Sequence, residues 1–140
     1  MENKYQNKNI VFFDGVCNMC NGLVSFLVKN DRKNVLYYSS LQSDFANDLL
    51  MKQNVKYNDS NMTTIYFFKD GKLYSKSTAV LKIFSLLSPP FSIFAAIFLS
   101  IKTSWRDYLY EKISKNRYAL FGKKETCRLP SKQEASRFIK

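Results

Sequence analysis

Cys17 and Cys20 lie three positions apart in the segment Asp14-Gly15-Val16-Cys17-Asn18-Met19-Cys20. Two thiols at this spacing sit one helical turn apart and can close a small disulfide ring. A thiolate attacks a disulfide, and the second thiol resolves the mixed disulfide that results. The context sharpens this reading. Ile10-Val11-Phe12-Phe13 is a short apolar run that predicts a buried strand, and Leu23, Val24, Phe26, Leu27 and Val28 recur at helical spacings just after the second Cys. Cys17 therefore falls at a helix N-terminus, where unpaired backbone N–H groups and the positive end of the helix dipole stabilise a thiolate. Thiols in such positions titrate between roughly 3.5 and 7.5 instead of near 8.5. Cys17, nearer the helix start, is the expected nucleophile, and Cys20, one turn inside, the resolving thiol. Asp14 has two readings that stay open: a carboxylate that takes and returns a proton during exchange, or a cap that accepts backbone N–H bonds. Gly15 allows the sharp turn between strand and helix.

The rest of the composition narrows the chemistry. The chain has 140 residues and no His, so Ser-His-Asp and Cys-His devices, His ligands and His bases are excluded. Three Cys are too few for a disulfide-rich secreted scaffold. One CxxC, the distant Cys127 and no His fall short of the four ligands of a structural zinc or iron–sulfur site, so no metal and no bound cofactor is expected. The first nine residues are polar and lack the apolar stretch of a signal peptide, which points to the cytoplasm, where thiols stay reduced. The net charge is +11, and half of the 22 basic residues lie in residues 102–140. Such a stretch suits an anionic surface or an acidic partner, but no RNP, zinc-finger or helix-turn-helix signature accompanies it, so no nucleic acid is expected.

The elements that must position the dithiol follow from periodicity. After the first strand and helix, Val35-Leu36-Tyr37-Tyr38 predicts a second strand, and residues 43–50 a helix capped by Ser40 or Ser43. Residues 63–68 predict a third strand, and Lys69-Asp70-Gly71-Lys72 a tight hairpin turn into Leu73-Tyr74-Ser75. Ser77 or Thr78 then caps a helix stopped by Pro89-Pro90. Residues 91–101 are strongly apolar but too short to span a bilayer, which takes about 20 residues. A buried helix is the expectation, with an interfacial segment as the alternative. Residues 104–119 suggest another helix, with Gly122 as a stop, ahead of a basic tail. The order implies an α/β fold, a thioredoxin-like mixed four-stranded sheet with helices on both faces plus a C-terminal helical extension. Residues 1–140 read as one domain, with a core over 8–90 and a helical, basic extension over 91–140.

The segment Asp14-Gly15-Val16-Cys17-Asn18-Met19-Cys20 resembles the D-x-x-C-x-x-C signature of the DCC family of thiol-disulfide oxidoreductases. Asp70-Gly71-Lys72 followed by Ser77-Thr78-Ala79-Val80 is similar to that family's central hairpin and helix start. Asn116-Arg117-Tyr118-Ala119-Leu120-Phe121-Gly122, then Cys127 and Pro130, is similar to its C-terminal signature. The resemblance covers roughly residues 8–130. It implies a thioredoxin-like core, dithiol–disulfide chemistry, and Asp14, Cys17 and Cys20 as the active site. Arg117 has two readings, support for the thiolate or an ion pair that orders the tail. Cys127 likewise reads as a third redox thiol or a packing residue. The expected partners are a disulfide-containing protein or small molecule and an external dithiol reductant. The alternative function is a non-enzymatic module that docks a membrane surface or protein through residues 91–101 and the basic tail.

Overall fold

The computed structural model describes residues 7–14, 18–41, 43–55, 65–116, 119 and 135–139. Strand β1 (Asn9–Phe13) runs through the middle of a four-stranded sheet ordered β2-β1-β3-β4. β2 (Leu36–Ser40) lies parallel to β1, while β3 (Tyr66–Lys69) lies antiparallel to β1 and pairs with β4 (Lys72–Ser75). Successive side chains of a strand point to opposite faces. Val11 and Phe13 accordingly join one buried cluster and Ile10 and Phe12 another. Helices α1 (Asn18–Asn30) and α3 (Lys76–Ser85) complete the first cluster through Cys20, Val24, Leu27, Ala79 and Ile83. Helix α2 (Asp44–Lys52) completes the second through Ala46 and Leu50. Helices thus cover both faces, and the fold is thioredoxin-like, as expected.

Local chemistry explains the joints. Ser43, extended at φ −81°, caps α2 by accepting the Ala46 N–H. Asp70 and Gly71 both take positive φ, 51° and 77°, which matches the two-residue turns that suit a twisted hairpin. The end of α1 turns on Asp31, a buried carboxylate that accepts the backbone N–H groups of Val35 at 3.2 Å and Leu36 at 2.9 Å.

Two expectations need correction. The start of α3 is not capped by Ser77 or Thr78. The helix begins at Lys76, its N-cap Ser75 makes no side-chain bond, and Asp107 from a later helix accepts the Ser77 N–H instead. Residues 91–101 are not a buried helix. Helix α4 (Phe91–Leu99) buries Ala95 and packs Phe91 against Phe26 at 5.2 Å between ring centroids, but leaves Ile93, Phe94, Ile97 and Phe98 about half exposed. Its hydrocarbon exceeds what one side of α3 can cover. No helix among the described residues is long and apolar enough to cross a membrane. The end of the basic tail returns to the sheet. Residues 135–139 lie along the outer edge of β2, where Phe138 bridges to Tyr38 and the Ile139 N–H reaches the Tyr38 carbonyl at 2.8 Å. This contact covers an otherwise open sheet edge. Tyr118, Gly122 and the strand residues expected at 63 and 64 lie outside the described residues.

Arg137, on the same terminal segment, reaches the Asp31 carboxylate at 3.4 Å. Asp31→Ala is expected to lower stability by about 1–3 kcal/mol, because it strands two backbone donors. Arg137→Ala is expected to cost less, its bond being long and one of three on that carboxylate. Urea unfolding with an unchanged slope checks both.

Candidate functional site

The strand pairing gathers several elements at one end of the sheet. β1 ends there at Phe13, followed by Asp14, and β2 ends beside it, with the Leu41 N–H donating to the Phe13 carbonyl at 2.8 Å. β3 runs the other way, so its first residue, Tyr66, pairs with Phe12 on one side and Ser75 on the other. The same end therefore carries the start of α3. Helix α1 begins only four positions after Asp14, within about 14 Å of extended chain, so its first turn belongs to this end as well.

Two of the residues singled out from the sequence are described here, and both are buried. Asp14 is 1% exposed, an unusual place for a carboxylate, and Cys20 is 4% exposed in the first turn of α1. Cys20 packs in the cluster that contains Phe13, the chain neighbour of Asp14. Gly15, Cys17, Arg117 and Cys127 lie outside the described residues. So does the Tyr57-to-Thr63 segment before the third strand, which contains no Pro. Among the described residues no three Cys, Asp or Glu side chains gather as a metal site requires.

A polar cluster that the sequence reading did not single out sits at this same end. Helix α5 (Thr103–Lys115) turns its polar side onto the start of α3. Asp107 accepts from both the Ser77 backbone N–H and the Ser77 hydroxyl, so it supplies the missing helix cap. Glu111 binds the Lys76 ammonium. The Tyr110 hydroxyl accepts the Ile65 N–H at 2.8 Å, just before β3. Arg106 donates to Ser77 and Thr78 hydroxyls at 3.4 Å and to Thr103 at 2.9 Å. The signal in the sequence was the row Thr103, Arg106, Asp107, Tyr110, Glu111 and Ser114, which recurs at three and four on one helical face. What that row would meet, thirty residues earlier, is not readable from spacing.

Lys76 holds φ at +56°, a left-handed conformation uncommon for a residue with a side chain. Its hydrogen bond with Glu111 raises its pKa, against a smaller opposing effect of burial. Burial raises the pKa of the Tyr66 phenol, with the Lys76 charge opposing.

A thioredoxin-like sheet with a buried thiol in the first turn of the helix that follows β1 points to the thioredoxin-like α/β class, and the comparisons with known proteins narrow it. The family model of the DCC1-like thiol-disulfide oxidoreductases matches residues 11–123. The chain belongs to this family. It is 40% identical over 130 residues to the uncharacterized protein YuxK of Bacillus subtilis, covering 93% of each chain. It is 37% identical over 120 residues to a chloroplastic DCC family protein of Arabidopsis thaliana, covering 86% of this chain and 69% of the relative. No solved structure matches it. Family membership supports a thiol-disulfide oxidoreductase role.

The two raised pKa values set a pH dependence. Each group titrates higher in the folded than in the unfolded chain, so its contribution is complete below its ordinary value, near 10 for Tyr and Lys, and is lost as pH rises through the folded value. Stability should therefore fall as pH rises above about 10. Tyr66→Phe should flatten the fall, and Glu111→Gln should flatten it by less, since the Lys76 side chain is 37% exposed and its pair is screened. Urea midpoints across that range measure it.

Proposed function

We propose that the protein reduces disulfides through Cys17 and Cys20, with Asp14 moving protons. The observation that carries this reading is the burial of Asp14 and Cys20 at one end of the sheet, in a chain of a thiol-disulfide oxidoreductase family. Cys17 immediately precedes the first residue of α1, Asn18. There the helix's unpaired amide groups favour its thiolate. The thiolate attacks one sulfur of a substrate disulfide, forming the Cys17–substrate bond and releasing the other substrate sulfur as a thiolate that takes up a proton. Cys20 then gives its proton to Asp14 and attacks the Cys17 sulfur. The substrate's second sulfur leaves with the bonding pair and is protonated in turn. The substrate has gained two electrons and two protons, and Cys17–Cys20 is oxidised.

Burial suits Cys20 to this second step, because a thiol hidden from solvent reacts only with a neighbour already joined to the enzyme. An external dithiol reductant in the cytoplasm would return the pair to its starting state, and the substrate is a disulfide-bearing protein or small molecule. In this reading Gly15 provides the turn that brings Cys17 to the helix start, and Arg117 orders the C-terminal segment.

Insulin reduction in the presence of a dithiol checks the roles. Cys17→Ser should fall to the uncatalysed rate. Cys20→Ser should accumulate a mixed disulfide at Cys17, visible by mass spectrometry, while Cys17→Ser forms none. Asp14→Asn should slow resolution by about a hundredfold, the ordinary worth of a positioned proton carrier. A wild type no faster than Cys17→Ser would end the reading.

A further inference from the structure

Among the described residues, every large apolar side chain that stands exposed, Met51 apart, lies between Ile93 and Ile113. The pattern is directional. Helix α4 turns Ala95 and Phe91 toward the core, while Phe94, Ile97, Phe98 and Ile101 follow one another at helical spacing on the outside. Helix α5 repeats the arrangement in reverse of the usual amphipathic rule. Its polar row is spent on α3, and Trp105, Tyr108, Leu109 and Ile113 face outward, with Trp105 70% exposed. Both helices pack on α3 and are joined by residues 100–102 alone.

The charges around this face have one sign. No acidic residue occurs between Asp70 and Asp107. The two acids of α5 are both paired with α3, Asp107 with Ser77 and the part-exposed Glu111 with Lys76. Lys102, Lys112 and Lys115 remain exposed, and Lys112 stands within the apolar row itself, one turn from Tyr108 and Leu109.

We propose that the outward face of α4 and α5 docks on an anionic lipid surface, lying in the headgroup plane without crossing it. A nine-residue helix is about 13 Å long, under half of a hydrocarbon core of roughly 30 Å. Lying flat, it sinks Phe94, Ile97 and Phe98 into the acyl boundary. Trp105 and Tyr108 suit the headgroup level, where amphipathic rings collect. The lysines reach anionic headgroups along their own apolar stems. A second copy fits less well, because each copy brings +11 and the part-exposed carboxylate of α5, Glu111, is already paired with Lys76. Nucleic acid fits less well still, since α4 presents only hydrocarbon to a phosphate backbone.

Trp105 is the only tryptophan in the chain, so the wild-type protein reports on its own docking. Vesicles of equal parts phosphatidylcholine and phosphatidylglycerol should shift its emission to the blue and carry the protein down on sedimentation. Binding should weaken at least tenfold on raising salt from about 0.05 M to about 0.5 M. Phe94→Ser with Phe98→Ser should cut binding at least tenfold, and Lys102→Glu with Lys112→Glu should cut it several-fold, with disulfide reduction retained in both. Unshifted emission with no sedimentation of the wild type would overturn the proposal. So would equal binding to pure phosphatidylcholine. A concentration-dependent dimer that shifts Trp105 emission without vesicles would assign the face to a second copy and overturn it as well.

Discussion

With side chains packed on both faces from Ile10 to Phe13, β1 has no alternative register. A slip by one residue would exchange the clusters that α1 and α3 cover on one side and α2 covers on the other. That constraint fixes where the strand ends. It places Asp14 at the edge of the core and leaves the chain only a few residues in which to turn back into α1. The burial of Cys20 follows from the same geometry, because the first turn of α1 must close over Phe13. A carboxyl group and a thiol are thus held at the rim of the sheet by hydrophobic packing to which only the thiol contributes.

The C-terminal helices answer to a different need. Helix α3 starts on a left-handed lysine, with no side-chain cap of its own. Its orphan amide and the Lys76 charge demand partners, and α5 meets them with Asp107 and Glu111. Turning the polar side of α5 inward leaves its apolar side outward. The exposed hydrocarbon is therefore the other half of a satisfied polar contact, rather than a fault in an amphipathic helix. The polar half of this trade lies at the same end of the sheet as Asp14.

Much of this was legible in the residues themselves. The apolar run at 10–13, the Asp70-Gly71 turn and the Ser43 cap are local signals, each decided within a few positions, and each stands where periodicity and turn chemistry put it. Together they gave the sheet and the helices on its two faces. What escaped was directional or distant. Hydropathy registers that 91–101 is apolar, but a helix with almost no polar residue carries no mark of which side faces out. Asp107 caps a helix thirty residues away, and Phe138 closes a strand edge a hundred residues away, so neither pairing leaves a trace in local spacing. For the candidate site, Asp14 and Cys20 stand described at the sheet end, while the remaining residues named from the motif rest on the sequence alone.

The late arrival of residues 135–139 bears on how the chain assembles during synthesis. Ser39 bonds to the carbonyl of Ile139 across a separation of 100 positions, and the Phe138 ring is tilted against Tyr38 with ring centroids 5.2 Å apart. Until that segment leaves the ribosome, β2 remains an open, sticky border and the Asp31 carboxylate lacks its arginine. The nascent protein thus carries an unfinished sheet edge over the 100 positions that separate Ser39 from Ile139.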